Sequence, residues 1–450
     1  MDVCRLNMAH ADHDWVRMIS SRIRSVGVRL NREPAIMMDV KGPEIRTGYL
    51  HNEVELKKDD LLDIVFVAQP DPPQYEGIWQ IEVNYDKLAD HIKSGDTVLI
   101  DNGLIPLLVI ESSAKRIRCK VLQNSILKSR RHVNLPGIET GLPSLTEKDK
   151  RDSKVGIECK HDFFALSFTR DADAIDLFRR FLQDNGSDAH IIAKLEDQKG
   201  VSNIDEIITA SDAIMIARGD LGVELPVEKI PLIQKELIRK CIHRAKPVIV
   251  ATQMMESMID RVKPNRSEIT DVANAVIEGA DAVMLSGETA TGQFPVLVIE
   301  TMRKIITEVE ENGYKYNRSE DLKPQPHSPS FLSDAVCYNA SKLSEDSNAH
   351  ALVGMTQSGY TAFMLSSFRP QSPLFIFTKQ KSLVNQLSLS WGVKAFYYDK
   401  EESLDEIIKD QIQVLKAQGF VNTGDVVVNT GSTPIQLHLP TNMIKINKVD

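Results

Sequence analysis

Two neighbouring segments indicate how the chain folds: residues 191–197, which read IIAKLED, and residues 214–226, which read IMIARGDLGVELP. Each begins with an uninterrupted apolar run, which is typical of a strand buried on both faces of a parallel sheet. Each run is followed by side chains that can do chemistry, Lys194 and Glu196 in the first segment and Asp220 in the second. The pattern predicts that these side chains lie together at the carboxyl ends of adjacent strands.

The same pattern recurs along the chain. Five further apolar runs precede polar residues: Val3–Leu6 before Asn7, Ala35–Met38 before Asp39, Phe163–Leu166 before Ser167, Val248–Ala251 before Thr252, and Ala282–Leu285 before Ser286. Helix-like segments, such as residues 232–245 and 269–278, lie between most of them. This alternation predicts an α/β fold, a TIM-type (β/α)8 barrel with its active site at the carboxyl ends of the strands.

The strand count and two irregular stretches refine this prediction. Seven strands are found where a closed barrel has eight, so we expect the first βα unit, about 30 residues, to be missing ahead of Met1. Residues 43–142 show short alternating strands and predict an inserted β-barrel lid domain. Residues 315–330, rich in Pro, Ser and charge, predict a linker. The barrel is then expected over residues 1–42 and 143–314, and a C-terminal α/β domain over residues 331–450.

Composition excludes several classes of function. The net charge of -9 argues against a nucleic-acid partner or an acidic membrane partner. The short basic run of Lys128, Arg130 and Arg131 is either a ligand contact or a solvated strand edge. The five cysteines are scattered, which is typical of a reduced, cytoplasmic protein. No signal peptide is visible, and no apolar run approaches the roughly 20 residues that a membrane helix needs.

The carboxylates after the two opening segments predict a metal site. Lys194 and Glu196 are two residues apart, so their side chains point to the same side of the barrel mouth. Together with Asp220 on the next strand, Glu196 offers an oxygen-only donor set that suits Mg²⁺ or Mn²⁺ rather than zinc. The alternative is a surface Lys–Glu ion pair with an unrelated aspartate, but the Gly-Asp-Leu-Gly turn on the neighbouring strand favours the metal site.

Other strand-end residues have two possible roles each. Gly219 and Gly222 flank either an anion site at a helix start or an ordinary tight connection. Thr252 can position or relay a proton, or cap a helix, and the same holds for Ser286.

Arginines near the first two strands suit phosphate. Arg5 and Arg46 can clamp phosphate oxygens. Asn7 and Asp39 could share a cation, whereas His10 by itself is more often structural.

Together these segments resemble the pyruvate kinase family. The matching stretches are CRLNMAH (4–10), MDVKGPEIRTG (38–48), NLPG (134–137), IIAKLED (191–197), IMIARGDLGVELP (214–226), PVIVATQMMESM (247–258) and DAVMLSGETATGQFP (281–295). They follow the family's order and span essentially the whole chain. The resemblance implies a phosphotransferase that moves the phosphoryl group of phosphoenolpyruvate to ADP, giving pyruvate and ATP in the last step of glycolysis.

The resemblance also implies residue roles. Glu196 and Asp220 would bind Mg²⁺ (or Mn²⁺), and Asn7, Asp39 and the Val40 carbonyl would bind K⁺. Catalytic roles would fall to Lys194, Thr252, Arg5 and Ser286. The substrate would contact Arg5, Lys194, Ala217, Arg218, Gly219, Asp220 and Thr252. The nucleotide would contact Arg46, Arg131, Asn7 and His10.

The chain departs from the family pattern in three places. The family's opening strand and helix are absent before Met1, and Ala9 stands where a serine ligand to K⁺ is usual. In the C-terminal domain, TQSGYT (356–361) resembles a phosphate loop, but QLHLP (436–440) replaces an expected glycine-rich stretch. That domain is therefore either the site of a phosphorylated effector or a structural domain contributing to subunit contacts in an expected homotetramer.

Two alternative functions stay open at this point. One is a metal-dependent aldolase or lyase acting on pyruvate enolate, which the lid domain and Arg46 disfavour because a lyase needs no ADP. The other is an inactive truncated paralogue acting as a structural or regulatory subunit, which the intact lysine and carboxylate positions disfavour.

Overall fold

The structure is a computed structural model that describes residues 1–66, 77–312, 316, 322–400, 402–434, 437 and 439–450. It opens with strand β1 (Val3–Asn7), helix α1 (His13–Leu30) and strand β2 (Ala35–Val40). The side chain of Asp12 caps α1 by accepting a hydrogen bond from the backbone N–H of Trp15 at 2.8 Å. The helix returns the chain so that β1 and β2 pair in parallel.

The inserted domain follows as a small β-barrel. Its elements are β3 (Ile45–Arg46), β4 (Val54–Leu56), β5 (Leu61–Phe66), β6 (Trp79–Val83), α2 (Leu88–His91), β7 (Thr97–Ile100), β8 (Ile105–Ser113), β9 (Arg116–Val121), β10 (Ser125–Leu127) and β11 (His132–Asn134). Seven strands pair in the order β3-β11-β7-β8-β9-β5-β6, and a bridge between Thr47 and Val83 joins the two ends. Alternating aliphatic side chains fill its interior.

The chain then returns to the large barrel for its remaining strands. The elements are α3 (Glu147–Glu158), β12 (Phe163–Leu166), α4 (Ala172–Asp184), β13 (His190–Leu195), α5 (Gln198–Ser202), α6 (Ile204–Ala210), β14 (Ala213–Ala217), α7 (Arg218–Glu224), α8 (Ile230–His243), β15 (Val248–Ala251), α9 (Arg266–Glu278), β16 (Ala282–Met284), α10 (Gly287–Ala290) and α11 (Pro295–Asn312).

The barrel sheet is parallel throughout, in the order β1-β2-β12-β13-β14-β15-β16. Strands β2, β12, β14 and β15 are buried at every position, because helices cover one face and barrel-interior side chains the other. The predicted fold class is confirmed: a parallel barrel of seven strands, with an inserted β domain and a C-terminal α/β domain. Within the described ranges, β1 and β16 form the two edges of the sheet.

The C-terminal domain is a five-stranded sheet flanked by helices. Its elements are α12 (Phe331–Asp346), β17 (Ala351–Met355), α13 (Tyr360–Ser367), β18 (Leu374–Thr378), α14 (Lys381–Gln386), β19 (Val393–Tyr397), α15 (Leu404–Ala417), β20 (Val426–Gly431) and β21 (Met443–Lys448). The strand order is β19-β18-β17-β20-β21. The sequence did not predict β21, which is antiparallel to β20. Two positions of the predicted QLHLP departure, Gln436 and His438, lie outside the described residues.

The C-terminal domain packs against the barrel at the amino ends of the strands, and we call this contact the base clamp. It consists of Arg369 and Trp391 from the C-terminal domain and Gly279 and Asp281 from the barrel. The Arg369 guanidinium donates to Asp281 Oδ1 at 2.9 Å and to the Gly279 carbonyl at 2.6 Å. The Trp391 ring lies 5.2 Å from that guanidinium. A buried charge is therefore paired across the domain interface.

In the part of the chain that the structure describes, no helix is both long enough and apolar enough to cross a bilayer.

Candidate active site

Five charged side chains meet at the carboxyl ends of the barrel strands, and we call them the mouth cluster: Arg5, Asp39, Lys194, Glu196 and Asp220. The Lys194 ammonium lies 3.1 Å from Asp39 Oδ1 and 2.8 Å from Glu196 Oε1. Arg5 Nε donates to Asp39 Oδ2 at 2.6 Å. Lys194 is 8% exposed, and Asp39 and Glu196 are 2% exposed each. Buried charges are expensive unless paired, so these interactions hold the cluster in a fixed arrangement.

The two central carboxylates differ in their electrostatic balance. Burial alone would raise the pKa of Asp39, but the positive charges of Lys194 and Arg5 outweigh it and hold that pKa below its ordinary value. Burial raises the pKa of Glu196 despite Lys194, and the negative charge of Asp220 adds to the rise. Asp220 therefore lies within electrostatic reach of Glu196.

Lys194 is the shared cation of the cluster. Burial by itself would lower the pKa of Lys194, but Asp39 and Glu196 raise it above its ordinary value. The lysine is therefore charged at neutral pH and divides that charge between two carboxylates. Counting Arg5, two cations face three carboxylates, so the cluster has an excess of negative charge when all three are ionised, and burial together with Asp220 raises the pKa of Glu196 to about 7. That excess and the oxygen donors of Glu196 and Asp220 fit a divalent cation.

Ser167 and Phe168, which follow β12, complete the surroundings of Lys194 and Glu196. Ser167 Oγ accepts a hydrogen bond from Lys194 at 2.7 Å and donates to the Val40 carbonyl at 2.7 Å. The Phe168 backbone N–H donates to Glu196 Oε2 at 2.6 Å. Both oxygens of Glu196 are thus engaged, which fixes the orientation of its carboxylate.

The Arg218-Gly219-Asp220 segment opens α7 and contacts the end of β15. The Gly219 N–H donates to Thr252 Oγ1 at 2.8 Å, and that hydroxyl donates to the Ala251 carbonyl at 2.6 Å. Thr252 has a positive φ of 66°, which a β-branched residue rarely adopts. Ala217, the last residue of β14, is buried. The hydrogen bonds place the threonine hydroxyl directly against the backbone that opens α7.

The side chain of Arg218 makes an anchoring interaction. Its guanidinium forms a bidentate pair with Asp271 of α9, with both N–O distances 2.7 Å, and donates to the Thr252 carbonyl at 2.7 Å. In this arrangement the side chain joins α7, α9 and the loop after β15, while the backbone of residues 218–220 faces the mouth.

Ser286 follows β16 and is held by Glu288. The Ser286 N–H donates to Glu288 Oε2 at 2.6 Å, and the Met255 N–H donates to Glu288 Oε1 at 3.3 Å. Glu288 is 3% exposed. A single buried carboxylate therefore ties the Ser286 loop to the loop that carries Thr252.

The inserted domain brings basic residues to the mouth. Arg46 Nε donates to Glu44 Oε2 at 2.7 Å, and Arg131 lies 3.4 Å from Asp101. Although burial would raise the pKa of Glu44, hydrogen bonds from Arg46 and Lys41 lower it. Both arginines are therefore paired with carboxylates of their own segment of the chain.

Of the residues expected to bind an alkali cation, Asp39 and Val40 are linked by hydrogen bonds to a common partner, whereas the Asn7 side chain pairs with a different residue. Asp39 and the Val40 carbonyl share Ser167, whose hydroxyl lies 3.4 Å from Asp39 Oδ1. Asn7 Oδ1 accepts from the Ala9 N–H at 3.0 Å. His10 is exposed on the turn after β1.

No group of three His, Cys, Asp or Glu side chains converges on a metal position within the described ranges.

Several contributing residues were not predicted from the sequence. Ser167 was placed only at the end of a strand, and no role was given to Phe168, Asp271, Glu288 or His132. The strand-end pattern could have singled out Ser167. The other contacts depend on segments that are distant in the chain.

Comparison with known proteins gives one consistent result. The "Pyruvate kinase, barrel domain" profile matches residues 1–299, and the "Pyruvate kinase, alpha/beta domain" profile matches residues 334–447. The chain is 36% identical to a pyruvate kinase of Clostridium acetobutylicum, over 100% of the chain and 94% of that protein. It is 38% identical to one of Geobacillus stearothermophilus, over 100% of the chain and 76% of that protein.

A plant protein and a solved structure extend the comparison. Plastidial pyruvate kinase 2 of Arabidopsis thaliana is 36% identical, over 100% of the chain and 77% of that protein. The crystal structure of a pyruvate kinase from Cryptosporidium parvum superposes with a TM-score of 0.92 at 34% identity. It covers 100% of this chain and 91% of that one.

Proposed function

Because this chain belongs to the pyruvate kinase family and is a phosphotransferase, we propose that its mouth cluster carries out the transfer of the phosphoryl group of phosphoenolpyruvate to ADP. The observation that carries the assignment of the site is the buried Lys194 between Asp39 and Glu196, with Asp220 nearby. Phosphoryl transfer needs positioning and charge neutralisation more than covalent catalysis, and this cluster is built for both.

We assign Glu196 and Asp220 as the ligands of Mg²⁺ or Mn²⁺. When bound, the cation would offset negative charge on the substrate oxygens and align them for transfer. The excess negative charge of the cluster supports this assignment, since Glu196 is held ionised only at a cost while no cation compensates it.

We assign the contacts between the protein and the phosphoryl group to Lys194 and Arg5. Lys194 would offset the charge that the phosphoryl oxygens and the enolate oxygen share during transfer, and Arg5 would hold the phosphoryl group in line. The backbone of Ala217, Arg218, Gly219 and Asp220 would bind the substrate carboxylate. This role suits the partly exposed start of α7, while the Arg218 side chain keeps that backbone in place through Asp271.

Thr252 and Ser286 are assigned to delivery of the proton to the methylene carbon. The Thr252 hydroxyl already contacts the Gly219 N–H that would bind the substrate, and Glu288 links the Thr252 and Ser286 loops. A hydroxyl in this position can pass a proton from a water chain to the carbon.

Arg46, Arg131, Asn7 and His10 are assigned to the nucleotide, with ADP entering between the barrel and the inserted domain. K⁺ would lie among Asn7, Asp39 and the Val40 carbonyl. Asn7 Oδ1 accepts from the Ala9 N–H and the Val40 carbonyl accepts from Ser167, whereas Asp39 already accepts from Arg5 and Lys194, so K⁺ would use the lone pairs that remain. With Ala9 nearby in place of a hydroxyl, we expect weaker dependence on K⁺ than a full oxygen shell would give.

The wider context of this activity is also part of the proposal. We propose that the protein works in glycolysis in the cytoplasm and assembles as a homotetramer. The Thr356–Thr361 loop is the place for a phosphorylated effector, and the Gly359 N–H already donates to Thr356 Oγ1 at 3.0 Å.

The test is ADP-dependent formation of pyruvate from phosphoenolpyruvate by the purified full chain, with Mg²⁺ added or withheld. Activity that needs both ADP and the divalent cation is the expected result. Pyruvate chemistry that proceeds without ADP would favour the lyase alternative, and a folded chain with no turnover would favour a structural subunit.

A further inference from the structure

We propose that Phe168 is a positioning residue through which the inserted domain sets the orientation of Glu196, and that His132 is its contact in that domain. The proposal rests on the assignment of Glu196 as a ligand of the divalent cation. It concerns residues that neither touch the substrates nor ligate the cation in the mechanism given above.

The first step is the contact between Phe168 and Glu196. The Phe168 backbone N–H donates to Glu196 Oε2 at 2.6 Å, while Lys194 lies 2.8 Å from Oε1. The peptide that carries this N–H joins Ser167 to Phe168, and Ser167 Oγ accepts from Lys194 at 2.7 Å. A movement of this one peptide would therefore disturb both partners of the Lys194–Glu196 pair.

The second step is the conformation of Phe168. Its φ is 52°, in the left-handed region that a bulky residue adopts only when its surroundings hold it there. A backbone that is unfavourable by itself depends on packing, so the contacts of the Phe168 ring decide where its peptide lies.

The third step is that both the connection leading into the inserted domain and a strand of that domain touch this segment. On the outgoing connection, a Cβ atom on Gly42 would lie 2.9 Å from Ser167 Cβ and 3.3 Å from Phe168 Cδ2, so the backbone there approaches very closely. In the inserted domain, the ring of His132 in β11 lies 5.9 Å from the Phe168 ring, at 59°. The Phe168 segment thus contacts both the outgoing connection and strand β11 of the inserted domain.

The fourth step is a second contact from the same strand. Asn134 Nδ2 donates to Glu224 Oε1 of α7 at 3.1 Å, and α7 carries Asp220 in its first turn. Burial lowers the pKa of His132 below its ordinary value and outweighs the negative charges of Glu44 and Asp220, which act in the opposite direction. The ring is therefore neutral at physiological pH and packs as an aromatic group. Strand β11 therefore contacts the segments that support both assigned metal ligands.

This arrangement predicts that the position of the inserted domain affects cation affinity before it affects substrate binding. Residues that orient metal ligands change metal affinity when they are substituted, typically by 10- to 100-fold for direct partners. Because His132 acts one contact further out, we expect a smaller change, about 3- to 10-fold.

The experiment measures Mn²⁺ binding to the full chain by electron paramagnetic resonance, without substrates, alongside the Mg²⁺ activation constant and the KM for phosphoenolpyruvate. H132A is expected to weaken Mn²⁺ binding about 3- to 10-fold, and H132F to stay within about 2-fold of wild type because it keeps an aromatic ring. F168L removes the other ring of the His132–Phe168 contact and should weaken Mn²⁺ binding as much as H132A does. It also keeps the test valid if H132A does not fold.

The matched control is H91A. His91 also lies in the inserted domain and stacks on Tyr85 at 6.1 Å, but this contact is internal to that domain. It should leave Mn²⁺ binding unchanged. Equal weakening in H91A and H132A would overturn the proposal, because the effect would then be a general loosening of the domain.

E196Q separates this proposal from the proposed function. Loss of Mn²⁺ binding in E196Q together with unchanged binding in H132A and F168L would overturn the role of Phe168 and leave the metal site standing. Unchanged binding in E196Q would overturn both.

Discussion

The mouth of the barrel and its base both bury charged side chains, but they balance the charge in different ways. At the base, one arginine, Arg369, meets one aspartate, Asp281, and both are sealed from solvent with side-chain exposures of 1% and 6%. At the mouth, two cations face the three carboxylates Asp39, Glu196 and Asp220. The base is a neutral contact that is complete by itself, whereas the mouth keeps an unmatched negative charge that a ligand can compensate.

The surrounding partners show the same contrast. At the base, the backbone N–H groups of Trp391 and Val248 both donate to the Asp281 carboxylate, each at 3.0 Å. At the mouth, burial raises the pKa of Glu196 because its share of Lys194 does not offset the loss of water and the charge of Asp220. The difference indicates that the base contributes to stability and that the mouth gives up stability for binding, as is common at functional sites.

The largest expected effect is at the mouth, in Lys194→Met. Removing the cation that we assign to offset the charge of the phosphoryl group during transfer should lower turnover by about 10³-fold or more, because preorganised charge stabilisation acts mainly on the transition state. Phosphoenolpyruvate should still bind. Steady-state kinetics and equilibrium dialysis measure the two quantities separately.

The matched control is Lys199→Met, which removes an exposed lysine paired with Glu139 at 3.0 Å. It should turn over like wild type. Wild-type-like turnover in Lys194→Met would overturn the assignment of the site.

The next largest effect is at the base, in Arg369→Met. Removing one partner of a buried ion pair leaves Asp281 uncompensated and should destabilise the protein by about 3–5 kcal/mol. Turnover per folded molecule should change little, since the base lies at the opposite ends of the strands from the mouth. Urea denaturation with activity measured at low denaturant checks both statements.

A double variant sharpens this prediction. Arg369→Met combined with Asp281→Asn removes both charges and should recover part of the lost stability, because the isolated carboxylate is the main cost. A double variant less stable than Arg369→Met would contradict the charge argument and point to packing against Trp391.

The mouth was easier to predict from the sequence than the base. Polar residues directly after apolar runs identified Lys194, Glu196, Asp220 and Thr252, because parallel strands bring all their carboxyl ends to one edge. Nothing local distinguishes Arg369 from a surface arginine. Its burial depends on the segment after α13 packing against the turn between α9 and β16, which lies about 90 residues away in the chain.

Supporting contacts at the mouth escaped prediction for a similar reason. Ser167 lies at a strand end and fits the pattern, but the orientation of the Phe168 amide depends on a positive φ that the sequence does not reveal. Strand β21 was missed because residues 444–447, which read IKIN, alternate apolar and polar side chains, whereas the pattern used for the parallel strands required continuous apolar runs.

A smaller effect is expected when the mouth is made neutral like the base. In Glu196→Gln without metal, two cations face the two carboxylates that remain. Because the folded protein raises the pKa of Glu196 above its unfolded value of about 4.3, the wild type binds more protons folded than unfolded in this range and loses stability as pH rises. The variant has no carboxyl group at this position and therefore does not lose stability in this way as pH rises.

The measurement compares metal-free wild type and Glu196→Gln at about pH 5 and about pH 8. The variant should gain about 1–2 kcal/mol relative to wild type between the two values. Asp39 does not contribute to the difference, because its lowered pKa keeps its carboxyl group ionised at both pH values. Saturating Mg²⁺ should stabilise the wild type and leave the variant unchanged, and a variant that gains no stability at high pH would show that the mouth is already balanced.

The smallest effect is expected from Trp391→Phe at the base. The Trp391 indole N–H donates to Glu310 Oε1 at 3.0 Å, and phenylalanine keeps an aromatic face for Arg369 while removing this hydrogen bond. We expect a loss of about 1 kcal/mol of stability, the usual contribution of one such bond, with no change in turnover or in Mg²⁺ activation. A variant as unstable as Arg369→Met would mean that the ring, rather than the ion pair, holds the two domains together. A variant with normal stability but altered Mg²⁺ activation would mean that the base communicates with the mouth, and the separation between a stabilising base and a binding mouth would then fail.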